Sequence, residues 1–138
     1  MENEDGTLVT LEKLVEVLPK LKEFNYFTTT PPGVNITSKT VKKMLKIPHF
    51  LNIEKFSLAY IPEVFDIETF YIYMKTNKQT TFRLDFENVI SHAYKNRLQA
   101  IVDEILATKN HSYKCPVITY YPFDGKKYKK MVDLQRHF

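Results

Sequence analysis

The first pattern in the chain is an amphipathic helix near its N-terminal end. Five apolar residues recur at three- and four-residue intervals, which is the spacing of one helical face: Leu11, Leu14, Val15, Leu18 and Leu21. We therefore predict a helix from about Thr10 to Phe24, with Thr10 as its N-cap. Pro19 lies too deep for a first helical turn, so the helix is expected to kink or end early there.

A second and longer helical pattern runs from about Phe86 to Thr108. Asp85 is well placed to cap it, and Asn110 is a reasonable stop. Its apolar stripe is broad and consists of Ile90, Ala93, Tyr94, Leu98, Ile101, Val102, Ile105 and Leu106. This pattern predicts a long helix with one face buried against the rest of the domain.

Between these helices, apolar and polar residues alternate in the manner of strands. The alternating apolar sets are Phe56, Leu58 and Tyr60, then Phe70, Ile72 and Met74, then Phe82, Leu84 and Phe86. The pair Asn77-Lys78 indicates a turn between the last two sets, so the segment reads as an antiparallel β-meander. Val117 to Tyr121 predicts one more short strand.

Residues 25–47 leave two interpretations open. Phe27 to Thr30 favours a strand, and Pro31-Pro32-Gly33 breaks the chain. Residues 34–47 then form either a helix capped by Ser38 or two short strands that turn near Ser38-Lys39. Periodicity alone does not choose between them.

Composition indicates one folded domain. The chain has 138 residues, 43% of them hydrophobic, and a single cysteine, Cys115, which excludes an internal disulfide framework. We assign residues 1–9 to a disordered N-terminus, 10–122 to one α+β domain and 123–138 to a basic tail. No apolar run reaches the roughly 18 residues of a membrane span, and the acidic start is unlike a signal peptide. The expected location is the cytoplasm, with the membrane periphery and the nucleus as further options.

Charge is unevenly distributed along the chain. Residues 1–37 carry six acids against three lysines, whereas the remainder carries 17 bases against 10 acids. Two groups concentrate the excess: Lys39, Lys42, Lys43 and Lys46, and later Lys126, Lys127, Lys129 and Lys130. These lysines are candidate anion-binding residues for nucleic acid or for a lipid headgroup such as a phosphoinositide.

No catalytic constellation emerges from the residue types and their spacing. The four histidines lack zinc-ligand spacing, and His111 and Cys115 have no second ligand pair nearby. The carboxylates Glu63, Asp66 and Glu68 lack the basic partner of a nuclease core. With only three glycines the chain has no phosphate-binding loop. The sequence therefore predicts no catalytic residue, no metal and no cofactor, and so a protein that is not an enzyme.

One resemblance covers about residues 33–110. The segments in question are GVNITSKTVKKMLKI, FLNIEKFSLAY, VFDIETFYIYMKTN and TTFRLDFEN, followed by a helix ending in LQAIVDEILATKN. Their order resembles pleckstrin-homology-like domains, notably phosphotyrosine-binding domains, the third lobe of FERM domains and the PH-like repeats of endosomal J-proteins. The resemblance implies an antiparallel β-sandwich capped by a C-terminal helix, with an added N-terminal helix, acting as a non-catalytic adaptor or scaffold.

The same resemblance implies a groove between the strand Ile53–Ala59 and the helix Ile90–Leu106. An extended segment of a partner protein would add there as a further strand. The partner-binding residues implied are Ile53, Lys55, Ser57, Ala59, Tyr60 and Tyr94.

Two other interpretations remain. In the first, paired helices at Leu11–Glu23 and Ser38–Lys46, together with the basic tail, bind nucleic acid. In the second, exposed tyrosines of a regulatory protein form a protein interface. The secondary structure of residues 33–47 discriminates, because strands there favour the PH-like interpretation and a helix favours the nucleic-acid one.

Overall fold

A computed structural model of the chain describes residues 9–27 and 35–137. In this range four strands form one sheet, and helices connect them. The strands are β1 (Glu23–Phe27), β2 (Lys55–Ile61), β3 (Thr81–Phe86) and β4 (Val117–Thr119). The helices are α1 (Leu11–Glu16), α2 (Thr40–Met44), α3 (Ile67–Met74), α4 (His92–Ala107) and α5 (Gly125–Arg136), with a 3-10 turn at Pro48–Asn52 before β2.

All four strands are parallel, and their order in the sheet, β1-β2-β3-β4, is their order in the sequence. The fold is α+β, but the predicted antiparallel meander and sandwich are wrong, and with them the PH-like architecture. Alternation identifies a strand and carries no information on its direction. Successive right-handed crossovers in one direction place their connecting helices on the same face of the sheet.

The clearest local error concerns α3, where we predicted a strand at Phe70–Met74. Asp66 caps a helix there, its Oδ1 accepting a hydrogen bond from the Thr69 N–H at 3.2 Å. The buried residues of α3 follow helical spacing: Ile67, Phe70, Tyr71 and Met74. Aromatic and β-branched residues favour strands in isolation, but a parallel pair needs a crossover, and α3 provides it between β2 and β3.

The N-terminal predictions are confirmed in part. Thr10 caps α1, its Oγ1 accepting from the Lys13 N–H at 3.3 Å, and α1 ends at Glu16, before Pro19. The last residues assigned to that helix instead begin β1. Residues 40–44 are helical, which removes the strand interpretation of that segment. The predictions for residues 1–8 and 28–34 lie outside the described residues.

The second predicted helix forms as α4, but it starts later than expected. Ser91 is its N-cap, with Oγ accepting from the Tyr94 N–H at 3.2 Å, while Asp85 remains in β3. The core of its predicted stripe is buried: Tyr94, Leu98, Ile101, Val102 and Ile105. The predicted strand forms as β4, and the segment assigned to a basic tail contains α5.

The hydrophobic core lies between the sheet and the helices. Register aligns Phe24, Phe56 and Phe82 across three strands on the face that the helices cover. Phe70 of α3 packs on this row, with ring centroids 5.9 Å from Phe56 and 5.4 Å from Phe82. Within the described residues, no helix combines the length and the apolar character that crossing a membrane requires.

Candidate interaction surfaces

The sheet face opposite the helices is accessible to solvent across β1, β2 and β3. We call it the open face; it consists of Glu23, Asn25, Phe27, Lys55, Ser57, Ala59, Thr81, Arg83 and Asp85. Ser57 stands in register between Asn25 and Arg83 on the neighbouring strands. Because Ser57 and Ala59 are small, the centre of the open face is a shallow depression between the longer side chains of the neighbouring strands.

Ion pairs hold the charged side chains of the open face in place. The Lys55 Nζ lies 3.5 Å from Glu23 Oε1 across β1 and β2, and the Arg83 Nε lies 3.2 Å from Asp85 Oδ2. Thr119 of β4 donates a hydrogen bond to Asp85. The open face therefore presents charges of both signs in defined positions.

Helix α5 lies along the outer side of β4. Gln135 Nε2 donates to the Phe82 carbonyl at 3.0 Å and to the Cys115 carbonyl at 3.1 Å. On the helical side, Lys127 Nζ contacts Asp103 Oδ1 of α4 at 2.7 Å. These contacts join α5 to β3, to the segment before β4 and to α4.

The strand Ile53–Ala59, predicted to offer an edge to a partner, has no edge to offer. β2 pairs with β1 on one side and with β3 on the other. Ile53 is buried, and so is Tyr94, whose hydroxyl donates to the Phe65 carbonyl at 2.7 Å. The space between this strand and α4 is hydrophobic core, so strand addition there is excluded.

The other predicted partner-binding residues lie at the surface. Lys55, Ser57 and Ala59 belong to the open face, whereas Tyr60 is exposed at the end of β2. The structure thus separates the predicted set into a buried pair and a surface group.

The predicted anion-binding lysines do not form one surface. Lys39, Lys42, Lys43 and Lys46 are exposed on and around α2, and no ion pair joins them to a described residue. On α5, Lys126, Lys129 and Lys130 are exposed, whereas Lys127 forms an ion pair with Asp103. Because α2 connects β1 to β2 and α5 flanks β4, the two groups lie at opposite ends of the sheet.

Sequence reasoning missed a third set of lysines, at the edge where the strands begin. The loops before β1, β3 and β4 supply Lys20, Lys22, Lys75, Lys78, Lys109 and Lys114. A cleft of about 440 Å³ beside Lys20 and Lys22 also includes Glu54 and Gln79. Helices α3 and α4 end at this side, and the partial negative charge of helix C-termini favours nearby lysines.

At the opposite edge, where the strands end, a cleft of about 310 Å³ separates the starts of α3 and α4. Glu63 accepts hydrogen bonds from the Ser91 N–H at 2.9 Å and from its hydroxyl at 3.1 Å. The Arg97 Nε donates to Glu68 Oε1 at 2.9 Å. Of the three carboxylates in the sequence-based prediction, Glu63 and Asp66 thus bind the starts of helices, and Glu68 pairs with Arg97.

Cys115 and His111, which stand four residues apart in the sequence, are held within the fold by burial and by a hydrogen bond respectively. Cys115 is buried, and burial raises the pKa of its thiol to about 11, so the thiol is neutral at pH 7. His111 Nε2 lies 2.8 Å from the Ile105 carbonyl. In the described part of the chain, no group of three His, Cys, Asp or Glu residues could hold a metal ion.

A weak repeat in the sequence could have indicated the parallel fold. The pattern Phe-x-Tyr or Phe-x-Leu occurs once in each of β1, β2 and β3, as Phe24 with Tyr26, Phe56 with Leu58 and Phe82 with Leu84. The pattern recurs after 32 and 26 residues, a spacing that suits strand-helix units better than hairpins.

In comparisons with family models, with curated proteins and with solved structures, nothing matches this chain.

Proposed function

We propose that this chain is a non-catalytic protein-binding module that holds its partner on the open face. The observation that carries the proposal is an all-parallel sheet with one exposed face. Parallel sheets are almost always covered on both faces. Here α5 reaches the open face at Arg83, whose Nη1 donates to the Tyr128 hydroxyl at 3.1 Å, and leaves the open-face residues of β1 and β2 accessible. In repeat proteins, strands stacked in sequence order likewise form extended binding surfaces.

The chemistry of the open face suits recognition of a polypeptide with mixed polarity. Ser57 and Ala59 allow close approach at the centre, while the Glu23–Lys55 and Arg83–Asp85 pairs flank them. Fixed charges of both signs favour specificity over affinity in protein interfaces. The buried free thiol of Cys115 is compatible with a reducing compartment, and we propose the cytoplasm or the nucleus as the location of the module.

The test is selection from a phage-displayed library of random peptides, with binding of the selected peptides measured by fluorescence anisotropy. Ala59→Arg fills the centre of the open face and should weaken binding at least tenfold. Ala100→Arg makes the same change on the exposed surface of α4 and is the matched control. Failure to select any binder, or equal binding to both variants, would refute the proposal.

Nucleic-acid binding is the second candidate, and the observation that favours it is the helical conformation of α2. Lys42 and Lys43 project from α2 into solvent without an ion pair to a described residue. The double variant Lys42→Glu/Lys43→Glu should then weaken binding of duplex DNA or single-stranded RNA, and binding should fall steeply with salt. Anionic vesicles in the same titration separate this candidate from lipid binding. Unchanged affinity in the double variant would remove the candidate.

A further inference from the structure

Large apolar side chains are exposed along one edge of the sheet. Six of the ten exposed large apolar residues in the described part of the chain lie at or just after the C-terminal ends of strands: Phe27, Tyr60, Val64, Val89, Tyr121 and Phe123. Their exposed fractions range from 42% to 81%. Because the strands are parallel, these residues share the carboxyl edge, and we call them the carboxyl-edge strip. This surface adjoins the open face at Phe27, which belongs to both.

The backbone of β2 is distorted in a way that places Tyr60 in the strip. Uninterrupted alternation from Phe56 and Leu58 would direct Tyr60 into the core and Ile61 to the open face. Instead, the register shifts between Leu58 and Ile61, so that Ile61 is buried and pairs with Phe86. Tyr60 has φ of 57°, a left-handed conformation that bulky residues rarely adopt.

Strained backbone is retained where the surrounding structure enforces it, and it is concentrated at functional sites. Here the distortion places the Tyr60 ring 5.7 Å from the Phe27 ring, both at the surface. At the other end of the strip, Lys95 Nζ lies 5.2 Å from the centre of the Tyr121 ring. The strip therefore reaches from the end of β1 to the loop after β4.

The cleft beside Val64, in the middle of the strip, has a charge opposite in sign to that of the whole chain. The cleft beside Val64 contains the carboxylates of Glu63, Asp66 and Glu68 against one guanidinium, Arg97. Its formal charge is thus −2, from three acids and one base, in a chain of net charge +4. Hydrogen bonds to Ser91 and Thr69 hold two of these carboxylates in position.

We propose that the carboxyl-edge strip binds a basic amphipathic helix of a partner protein. A helix satisfies its own backbone hydrogen bonds, which suits a surface made of side chains at the ends of strands. Four strands span about 15 Å, which is the length of a helix of about ten residues. Apolar side chains of that helix contact the strip, and its lysines and arginines face the carboxylates of the cleft.

The test is selection from a display library of peptides on a helical scaffold with randomised surface positions. The expected binders carry apolar residues at i, i+4 and i+7 with lysine or arginine beside them. Val64→Arg/Val89→Arg, at two exposed positions, should weaken binding at least tenfold. Ile72→Arg, at an exposed position on α3 away from this edge, is the matched control and should leave binding unchanged.

Ser57→Arg separates the two proposals, because Ser57 is in register with Asn25 and Arg83 and not with Phe27. It should weaken binding of the open-face peptides and retain the helical peptides. Acidic or neutral binders, no binders, or binders that ignore Val64→Arg/Val89→Arg would overturn the proposal. Sedimentation of the chain alone tests the other occupant, a second copy. A dimer that Val64→Arg/Val89→Arg dissociates would also overturn it.

Discussion

Phe24 and Phe56 lie side by side on neighbouring parallel strands, with ring centroids 5.4 Å apart and ring planes 13° from parallel. Phe82 continues the row on β3, 6.1 Å from Phe56. Phe56 is therefore the central ring of a ladder across three strand-helix units, and each unit packs mainly against its neighbours. This ladder connects the units into one core, while the opposite sides of the same strands form the open face.

The first prediction tests which face of β2 is buried. Phe56→Ala removes a fully buried ring and should lower the free energy of unfolding by about 3–5 kcal/mol. Ser57→Ala, one residue away on the open face, should change it by less than about 0.5 kcal/mol. Urea melts followed by circular dichroism measure both. Similar losses for the two variants would show that the faces are misassigned.

The second prediction concerns Asn77, whose buried side chain closes the turn before β3. Its Oδ1 accepts from the Gln79 and Thr80 N–H groups at 2.8 and 2.9 Å, and its Nδ2 donates to the Tyr73 hydroxyl at 2.9 Å. Asn77→Ala leaves these groups unsatisfied and should cost about 3 kcal/mol.

The neighbouring exposed position supplies the control for this turn. Lys78→Ala should change stability by less than about 0.5 kcal/mol in the same denaturation series. A loss for Asn77→Ala as small as that of the control would mean that the network contributes nothing measurable.

The third prediction is a loss of stability at alkaline pH. Burial raises the pKa of Tyr94, Tyr73 and Tyr113 above the ordinary value of 10.0. The folded state keeps these phenols protonated, whereas the unfolded chain releases their protons near pH 10. Unfolding free energy must then fall as pH rises above about 9, by up to about 1.4 kcal/mol per pH unit for each such phenol.

Denaturation midpoints between pH 8 and pH 11 measure this slope, and one buried phenol can be removed to test its origin. Tyr94→Phe should make the slope shallower, because one group that ionises only on unfolding is gone. Tyr121→Phe, at an exposed position, is the matched control. A slope that Tyr94→Phe leaves untouched would rule out this phenol as a source.

The fourth prediction is that Cys115 does not react in the folded protein. The thiolate is the reactive species, and a pKa of about 11 leaves roughly one thiol in a thousand ionised at pH 8. Burial also blocks access of a reagent. Reaction with a disulfide reagent should be at least about a hundredfold slower in buffer than in denaturant. Equal rates in the two conditions would place the thiol at the surface.

Local patterns in the sequence determined much of the secondary structure. The sequence predicts Thr10 as a cap because a cap is local: its hydroxyl accepts a hydrogen bond from the Lys13 N–H, three residues further along the chain. The stripe of α4 and the alternation of Phe56 with Leu58 and of Phe82 with Leu84 identified buried faces, since periodicity follows from the geometry of one element. Lys55, Ser57 and Ala59 lie at the surface, and their binding of a partner stays a prediction.

Only the tertiary structure decided the direction of the strands, and with it the candidate surfaces. Parallel and antiparallel strands share the same alternation, so the helical conformation of Ile67–Met74 determines how β2 connects to β3. That crossover turns Ile53 and Tyr94 inward and aligns Phe27, Tyr60 and Val89 along one edge. Residues far apart in sequence form these surfaces, and their meeting depends on strand order, which no local spacing encodes.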